Sequence, residues 1–258
     1  MAALIEIRDV EKRYTTRAGS QVALRPTSLE IAAEEFVSIV GPSGCGKTTL
    51  MKIVAGLLPC TRGEVRVDGV PVQEPPDGVG MVFQAPTLLR WRTVLDNVLL
   101  PADAQRRPRA RYEAAARDLI RLVGLEGFAN HYPRELSGGM QQRVAISRAL
   151  LLEPRLLLMD EPFGALDAMT REEMNLELQR IWNEQPKTVL FITHSIDEAV
   201  FLSDRVVVMT PRPGGVRAII DVELPRPRTL HVREHPRFIE HVGRIRDLIW
   251  SKPGGAIP

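Results

Sequence analysis

The stretch GPSGCGKTTLMKIVAG, residues 41–56, decides the fold that this sequence specifies. It follows the apolar run FVSIV (36–40) directly and matches the spacing G-x-x-x-x-G-K-[ST]. Glycines at these intervals let successive backbone N–H groups point into one concave loop, and the next helix adds the positive end of its dipole. The stretch therefore predicts a strand, a phosphate-binding loop, and a helix from Lys47 to about Leu58 that is ended by Pro59.

Each residue type in this loop has an expected task. The Lys47 ammonium group is expected to reach the β- and γ-phosphates of a nucleoside triphosphate, and the Thr48 hydroxyl is expected to ligate Mg²⁺. We interpret Cys45 as a filler of the loop and not as a redox switch. The residues predicted to bind the nucleotide here are Gly41, Pro42, Ser43, Gly44, Cys45, Gly46, Lys47, Thr48 and Thr49.

Length and composition limit the class of protein. With 258 residues, 44% of them hydrophobic, the chain is long enough for one large α/β domain, or for one domain with a small appendage. A net charge of +2 gives no overall reason to expect nucleic acid as a partner. The two cysteines do not make a disulfide framework and fit a reducing compartment. We expect neither a signal peptide nor a membrane span, because no apolar run approaches ~18 residues.

The remaining pattern alternates between strands and helices. Residues 4–10 have the period of two that is typical of a strand, and residues 88–131 have a helical pattern. RLLLMDEP (155–162) and KTVLFITH (187–194) carry the continuous apolar runs of parallel strands that are buried on both faces. In the helical region the spacing predicts one buried face, formed by Tyr112, Ala115, Leu119, Leu122 and Val123.

The run RLLLMDEP supplies the acidic groups that a phosphate loop needs for its metal. Four apolar residues would carry Asp160 to the carboxyl end of a strand, where open α/β sheets bind ligands, and Asp160 is expected to hold Mg²⁺. Adjacent residues of a strand point to opposite faces, so the Glu161 side chain is not expected to share the metal with Asp160. It is therefore available to polarise a water at the γ-phosphate. The alternatives are a helix cap for Asp160 and a solvated carboxylate for Glu161.

A second glycine motif selects among the proteins that bind phosphate in this way. LSGGMQQR (136–143) resembles the signature motif of the ABC-type ATPases, with Met140 where many members have Gln. Ser137, Gly138 and Gly139 would open a helix with free N–H groups, so they form a second phosphate-binding end. The resemblance implies that two subunits stack head to tail and enclose two ATP molecules between the loop of one subunit and the signature of the other.

Four further positions match the family in order. Tyr14 corresponds to the aromatic residue that stacks on adenine, although packing within its strand is the alternative. Gln84 corresponds to the Q-loop glutamine, which reaches Mg²⁺ and the attacking water. Residues 164–167, GALD, correspond to the D-loop with Asp167 at the dimer contact, and His194 to the switch histidine that contacts the γ-phosphate.

The resemblance implies an α/β fold of the P-loop NTPase (ABC ATPase) type. It would have a β-rich N-terminal subdomain, a RecA-like core and a helical subdomain at about 88–154, all within residues 1–225. Residues 226–258 are expected to form a C-terminal extension. The implied cofactors are ATP and Mg²⁺, and the implied activity is ATP hydrolysis coupled to transport.

The family further implies a partner in the membrane. The chain would form a homodimer beneath a separate permease, at the cytoplasmic face of the cell membrane, and would meet a periplasmic or extracellular solute-binding protein only indirectly. The permease contact is expected near Leu88–Trp91, unless that run is simply core of the helical subdomain. LLRWRTVLDNV (88–98), VVVMTPRPGGV (206–216) and the tail after residue 224 resemble the nitrate/sulfonate/taurine importers, with Arg90 where their common form has Pro.

Two other functions stay open at this point. One is an ABC ATPase of a lipid-transport or export system, and the other is a soluble ABC ATPase that acts in repair or translation. The basic cluster QRRPRAR (105–111) is the one local hint of a nucleic-acid partner. We interpret its arginines Arg106, Arg107, Arg109 and Arg111 as the solvated start of a helix, and we predict no nucleic-acid partner.

Overall fold

The structure is a computed structural model that describes residues 3–16, 19–164 and 166–250. The chain divides into two compact units. Unit 1 comprises Met1–Asp77 and Leu178–Pro258, and unit 2 comprises Gly78–Glu177.

Strands and helices alternate through most of the described chain. The strands are β1 (Ala3–Thr16), β2 (Gly19–Ala32), β3 (Phe36–Val40), β4 (Arg62–Val67), β5 (Val70–Pro71), β6 (Val79–Val82), β7 (Leu156–Asp160), β8 (Thr188–Ile192), β9 (Arg205–Met209) and β10 (Val216–Asp221). The α-helices are α1 (Lys47–Val54), α2 (Val94–Val98), α3 (Leu100–Ala104), α4 (Arg109–Leu122), α5 (Gly138–Leu150), α6 (Ala168–Glu184), α7 (Ile196–Leu202) and α8 (Pro236–Trp250). Short 3-10 turns cover Glu126–Phe128, Pro133–Glu135 and Leu230–Glu234.

Unit 1 begins with an antiparallel sheet in the order β2-β1-β4-β5. The strand predicted at 4–10 is confirmed, and it continues to Thr16 because β2 pairs with it along most of its length. Ile5 and Ile7 of β1 are buried, whereas the charged residues that follow them, Glu6 and Arg8, are more exposed. This alternation gives the sheet one apolar face for the core.

The other strands of unit 1 place the phosphate loop. β3 lies parallel to both β8 and β9, and β10 runs antiparallel to β9. Every residue of β3 and β8 is buried, as expected for parallel strands covered on both faces. The loop Gly41–Gly46 therefore starts at the carboxyl end of a fixed, fully buried strand.

Helix α1 is shorter than the sequence predicts. It ends at Val54, and not near Leu58, because Gly56 adopts the left-handed conformation (φ 68°) and turns the chain. The Leu57 N–H then bonds to the Lys52 carbonyl, which closes the helix end. A Cβ on Gly56 would lie 2.3 Å from the Glu74 carbonyl oxygen, so only glycine fits this position. Pro59 follows a helix that has already ended.

Unit 2 contains the parallel pair β6–β7 and helices α2 to α5. These helices share an apolar core that includes Val98, Leu99 and Val144. The predicted buried face of α4 is confirmed in part: Val123 is buried, and Tyr112 and Leu119 pack on the core while partly exposed. Its centre is shifted by one position, because Ala116 and Ile120 are buried whereas Ala115 is exposed. The shift follows the i, i+4, i+7 spacing of the three buried residues.

The described part of the predicted C-terminal extension, residues 226–250, consists of a short 3-10 turn and helix α8. Phe238, Val242 and Ile245 are the buried residues of α8. Residues 251–258 of the predicted extension lie outside the described chain. None of the helices in the described part combines the length and the apolarity that a bilayer crossing requires.

Candidate active site

The loop Gly41–Thr48, here called the P-loop, has the backbone shape that its glycines predict. Gly46 holds φ at 98°, a left-handed value that favours glycine, and it stands directly before α1. The Lys47 side chain is only 5% exposed, and its ammonium group donates to the Gly41 and Pro42 carbonyl oxygens at 2.9 and 3.2 Å. The lysine is thus held against the inside of the loop that it is expected to serve.

The turn that contains Gly214, between β9 and β10, packs against the backbone of the P-loop at Cys45. The Gly214 N–H bonds to the Ala23 carbonyl at 3.2 Å, and the Arg25 N–H bonds to the Gly214 carbonyl at 2.7 Å. A Cβ on Gly214 would lie 1.6 Å from the Cys45 carbonyl oxygen, so the close approach requires glycine. Cys45 is buried there, and burial raises the pKa of its thiol despite the nearby Lys47 charge. A buried neutral thiol agrees with the interpretation of Cys45 as a filler.

Tyr14 lies near the end of β1 with its side chain turned outward. It is 39% exposed, and the Lys12 ammonium lies 5.3 Å from its ring centroid. A tyrosine that served strand packing would be covered, so the exposed ring favours the stacking role over the alternative.

His194 follows β8 and sits between two residues that fix the backbone. Buried Thr193 donates from its hydroxyl to Glu198 and accepts from the Ser195 N–H at 3.0 Å. Ser195 is the N-cap of α7 and accepts from the Glu198 N–H at 3.3 Å. The sequence THSIDE therefore forms a closed network that presents the exposed His194 at the carboxyl end of β8.

In unit 2, the structure brings Gln84 and Glu161 together. The Gln84 amide donates to the Glu161 carboxylate at 3.3 Å. Asp160, the last residue of β7, is buried, whereas Glu161 is half-buried and has a φ of 47°. This unusual φ turns the chain at Glu161, and the Gly164 N–H closes the turn by bonding to the Glu161 carbonyl at 3.1 Å.

The signature motif and the D-loop are neighbours in unit 2. Ser137 caps α5 and accepts from the Met140 N–H at 3.3 Å, as its position before Gly138 and Gly139 predicts. A Cβ on Gly139 would lie 3.1 Å from the Thr170 methyl group. Asp167 accepts from the Thr170 N–H and hydroxyl at 3.1 and 2.7 Å, and these bonds lower its pKa. Ala165, inside the D-loop, lies outside the described residues.

Two polar residues of α5 that the sequence did not single out hold the backbone on both sides of Gln84. The buried Gln142 amide donates to the Phe83 carbonyl at 3.2 Å. The Arg148 guanidinium donates to the Pro86 and Thr87 carbonyl oxygens at 2.8 and 3.0 Å. Burial lowers the pKa of Arg148, as expected for a charge that is taken out of water to bind backbone. Because α5 also contains Gln141, Arg143 and Ser147, the sequence alone did not mark these two residues.

The predicted site residues thus fall into two groups. The P-loop, Tyr14 and His194 belong to unit 1, whereas Gln84, Asp160, Glu161, the signature and Asp167 belong to unit 2. Apart from Tyr14, which lies within β1, these residues lie at carboxyl ends of strands or at helix N-termini, which are the positions that bind phosphates in α/β proteins.

Comparison with known proteins agrees with this arrangement. Residues 24–164, more than half of the chain, match the family described as ABC transporter. The chain belongs to the ABC transporter family. The predicted resemblance to ABC ATPases is therefore confirmed, and the chain is an ATP-binding ABC ATPase.

Relatives of this ABC ATPase extend over nearly its full length. It is 46% identical over 244 residues to the taurine import ATP-binding protein TauB of Rhizobium johnstonii, covering 92% of this chain and 93% of the relative. It is 41% identical over 225 residues to the aliphatic sulfonates import ATP-binding protein SsuB of Bacillus cereus, covering 87% and 88%. An uncharacterized ABC transporter ATP-binding protein of Methanocaldococcus jannaschii is 46% identical over 249 residues, covering 96% and 92%.

Solved structures give the same fold. The dimeric structure of MJ0796, described as a bacterial ABC transporter cassette, superposes with a TM-score of 0.76 at 35% identity, and it covers 86% of this chain and 100% of that one. The same cassette bound to ADP and Pi, described as a post-hydrolysis state, gives 0.74 at 34% identity. The predicted fold class of an ABC-type P-loop ATPase is confirmed.

Proposed function

We propose that this chain is the ATP-hydrolysing subunit of an importer for small organosulfonates such as taurine, or for similar anions. The observation that carries the proposal is the full set of nucleotide motifs in a chain that matches TauB and SsuB import subunits over most of its length. ATP binding would close two copies upon each other and drive a separate permease to its other state, and hydrolysis would reset the cycle.

In this proposal each group of residues has one task. The P-loop N–H groups and Lys47 bind the phosphates, and Tyr14 stacks on adenine. Glu161 polarises the attacking water, because its carboxylate is held by the Gln84 amide in a half-buried position. His194 contacts the γ-phosphate from a backbone that Thr193 and Ser195 fix.

A magnesium ion fits the residue types that the resemblance assigns to it. Thr48, Gln84 and Asp160 offer hydroxyl, amide and carboxylate oxygens, which are the hard donors that Mg²⁺ prefers. Only one of these three expected ligands, Asp160, is a carboxylate. The described residues contain no cluster of three or more acidic, histidine or cysteine side chains that could hold a metal ion. This is the usual situation for Mg²⁺ that is held partly by substrate phosphates. When bound, the ion would neutralise charge that develops on the phosphates.

The proposed dimer rests on the signature motif. Ser137 and Gly138 are exposed, and the N-terminal end of α5 presents backbone N–H groups together with the positive end of the helix dipole. The related cassette MJ0796 is described as dimeric. Two copies would therefore each complete the other's ATP site, with Asp167 at the contact.

Replacing Ser137 with Arg tests the shared site. The bulky cation would block the N-terminus of α5 from an approaching nucleotide, so we expect hydrolysis to fall on the order of a hundredfold while one copy still binds ATP normally. The measurements are steady-state ATPase rates and ATP titration of the single chain. Ser137→Ala, which removes only the cap at a cost of about 1 kcal/mol, is the control. Full activity of Ser137→Arg would contradict the shared site.

The predicted permease contact, Leu88–Trp91, has two parts. Leu88 packs on the apolar core of unit 2, as the alternative interpretation of this run expects. Buried Asn97 then holds the following loop, since its amide donates to the Leu89 and Arg92 carbonyl oxygens at 3.1 Å each. The loop leaves Trp91 74% exposed. An exposed indole on a loop that is fixed by hydrogen bonds supports a contact between Trp91 and the permease.

Replacing Trp91 with Ala tests the permease contact. We expect the variant to keep its fold and its own ATPase activity, because the side chain is mostly in water, and to lose more than about tenfold in affinity for the permease. Affinity purification of the tagged chain from its host membranes, with the copurifying integral membrane protein identified, supplies the assay. Trp250→Ala, at a similarly exposed tryptophan (69%), is the control. Equal permease recovery from both variants would remove Trp91 from the contact.

Reconstitution with that permease tests the proposed function itself. Proteoliposomes that contain both proteins, supplied with the solute-binding protein that the resemblance implies, should take up taurine, an alkanesulfonate or nitrate only when ATP and Mg²⁺ are supplied to the chain. Outward movement of lipid or solute would instead favour the export alternative.

Recovery of the chain with DNA or ribosomes would favour the soluble alternative. The basic cluster argues against the latter, since Arg109 pairs with Asp96 and the ring of Tyr112 lies near Arg107 and Arg111.

A further inference from the structure

Two arginines of the C-terminal extension, the buried Arg228 and the partly buried Arg226, bind the end of helix α7. Arg228 is 3% exposed, and its guanidinium donates to three carbonyl oxygens there: Val200 at 2.9 Å, Phe201 at 3.1 Å and Ser203 at 2.8 Å. Carbonyl groups at the end of a helix lack partners within the helix and carry the negative end of its dipole. One guanidinium therefore satisfies most of the end of α7.

Arg226 adds a second contact at the same end. Its guanidinium donates to the Leu202 carbonyl at 2.6 Å and to the Asp204 carboxylate at 2.8 Å, and it stacks on Trp182 with 4.1 Å to the ring centroid. The other oxygen of Asp204 accepts from the Phe36 N–H at 2.9 Å, at the first residue of β3. The pair of arginines thus contacts helix α7 and, through Asp204, the strand β3 that leads into the P-loop.

The position of Arg228 is itself fixed by α6. Its backbone N–H donates to the Gln179 side chain, and the Gln179 amide returns a bond to the Arg228 carbonyl at 2.8 Å. Burial, with repulsion from Arg226, lowers the pKa of Arg228 to about 10, so the group stays charged at neutral pH. A buried cation held by this many backbone bonds has few other arrangements open to it.

Helix α7 is short, so contacts that fix its C-terminal end also restrict the position of its N-terminal end. It has seven residues, which is about 10 Å of helix, and its first turn is tied to His194 through Thr193, Ser195 and Glu198. We propose that Arg228, together with Arg226, is a positioning residue that fixes the end of α7 and thereby the loop that carries His194. The inference rests on the proposed role of His194 in hydrolysis.

The test separates hydrolysis from nucleotide binding. Arg228→Ala should lower kcat for ATP about tenfold and leave the KM for ATP and ATP binding within about twofold, because the P-loop is untouched. Arg228→Lys, which keeps the charge but loses the planar donor set, should lie between wild type and Arg228→Ala. If Arg228→Ala does not fold, Arg228→Lys alone carries the test. Arg237→Ala, at an exposed arginine of the same extension, should change nothing.

A double-mutant cycle with His194→Ala decides whether the effect passes through His194. In that background Arg228→Ala should lower the residual rate less than twofold, because the group it positions is gone. An equal loss in both backgrounds, or wild-type kcat in Arg228→Lys and Arg228→Ala, would overturn the inference. Ile31→Val, in the buried core of unit 1, controls for general destabilisation and should leave kcat unchanged. Full activity of His194→Ala alone would instead refute the proposed role of His194.

Discussion

Glu161→Gln is expected to abolish ATP turnover while ATP binding stays intact. Glutamine has the same shape as glutamate, and its side-chain oxygen can still accept the bond that the Gln84 amide now donates at 3.3 Å. The variant therefore keeps the local geometry and loses only the basic carboxylate. General-base catalysis contributes on the order of 10²–10⁴-fold, so the loss in kcat should fall in that range. Single-turnover hydrolysis and equilibrium ATP binding are the two measurements.

Glu173→Gln is the matched control for this substitution. Glu173 is an exposed glutamate of α6 that pairs with Arg143 on the surface, and such pairs contribute little. It should hydrolyse ATP at the wild-type rate. A Glu161→Gln variant with ATPase activity near wild type would refute the role of Glu161 and leave the water without an identified base.

Lys47→Ala is expected to weaken ATP binding itself. The lysine ammonium is buried against the P-loop carbonyls of Gly41 and Pro42, where it is held ready for phosphate oxygens. Charge-assisted bonds of this kind contribute about 1.5–3 kcal/mol each, so the affinity for ATP should fall about a hundredfold or more. Calorimetric titration with ATP on the purified chain checks the result.

The control for Lys47→Ala lies on the same helix. Lys52 is exposed in the last turn of α1, so Lys52→Ala should bind ATP as wild type does. An ATP affinity of Lys47→Ala equal to that of wild type would mean that the backbone N–H groups alone carry the phosphate affinity.

Local rules predicted the parts of the fold that depend on short stretches. The P-loop follows from glycine spacing between an apolar run and a helix, and the buried strands β7 and β8 follow from unbroken apolar residues. The Ser137 cap of α5 also follows, because serine before two glycines satisfies the first N–H groups of a helix. The roles of the individual site residues remain predictions.

Other features depend on contacts between distant parts of the chain and had no local signal. The end of α1 is set by Gly56 against the Glu74 carbonyl, and the sequence does not say that these residues meet. The tight contact of Gly214 with Cys45 spans most of the chain in the same way. Arg148 and Arg228 look like surface charges in the sequence, yet each binds backbone carbonyls far along the chain. Such residues are found only when the folded backbone shows which carbonyl groups need a donor.

Mixing two inactive variants tests the shared ATP site most directly. In a mixed dimer of Lys47→Ala and Ser137→Arg copies, one site combines both defects, and the other combines an intact P-loop with an intact signature. The account predicts that each variant alone is nearly inactive and that the equimolar mixture regains ATPase activity, with a rate that rises with protein concentration. A mixture whose rate is only the sum of the two separate rates would contradict the claim that two copies complete each other's site.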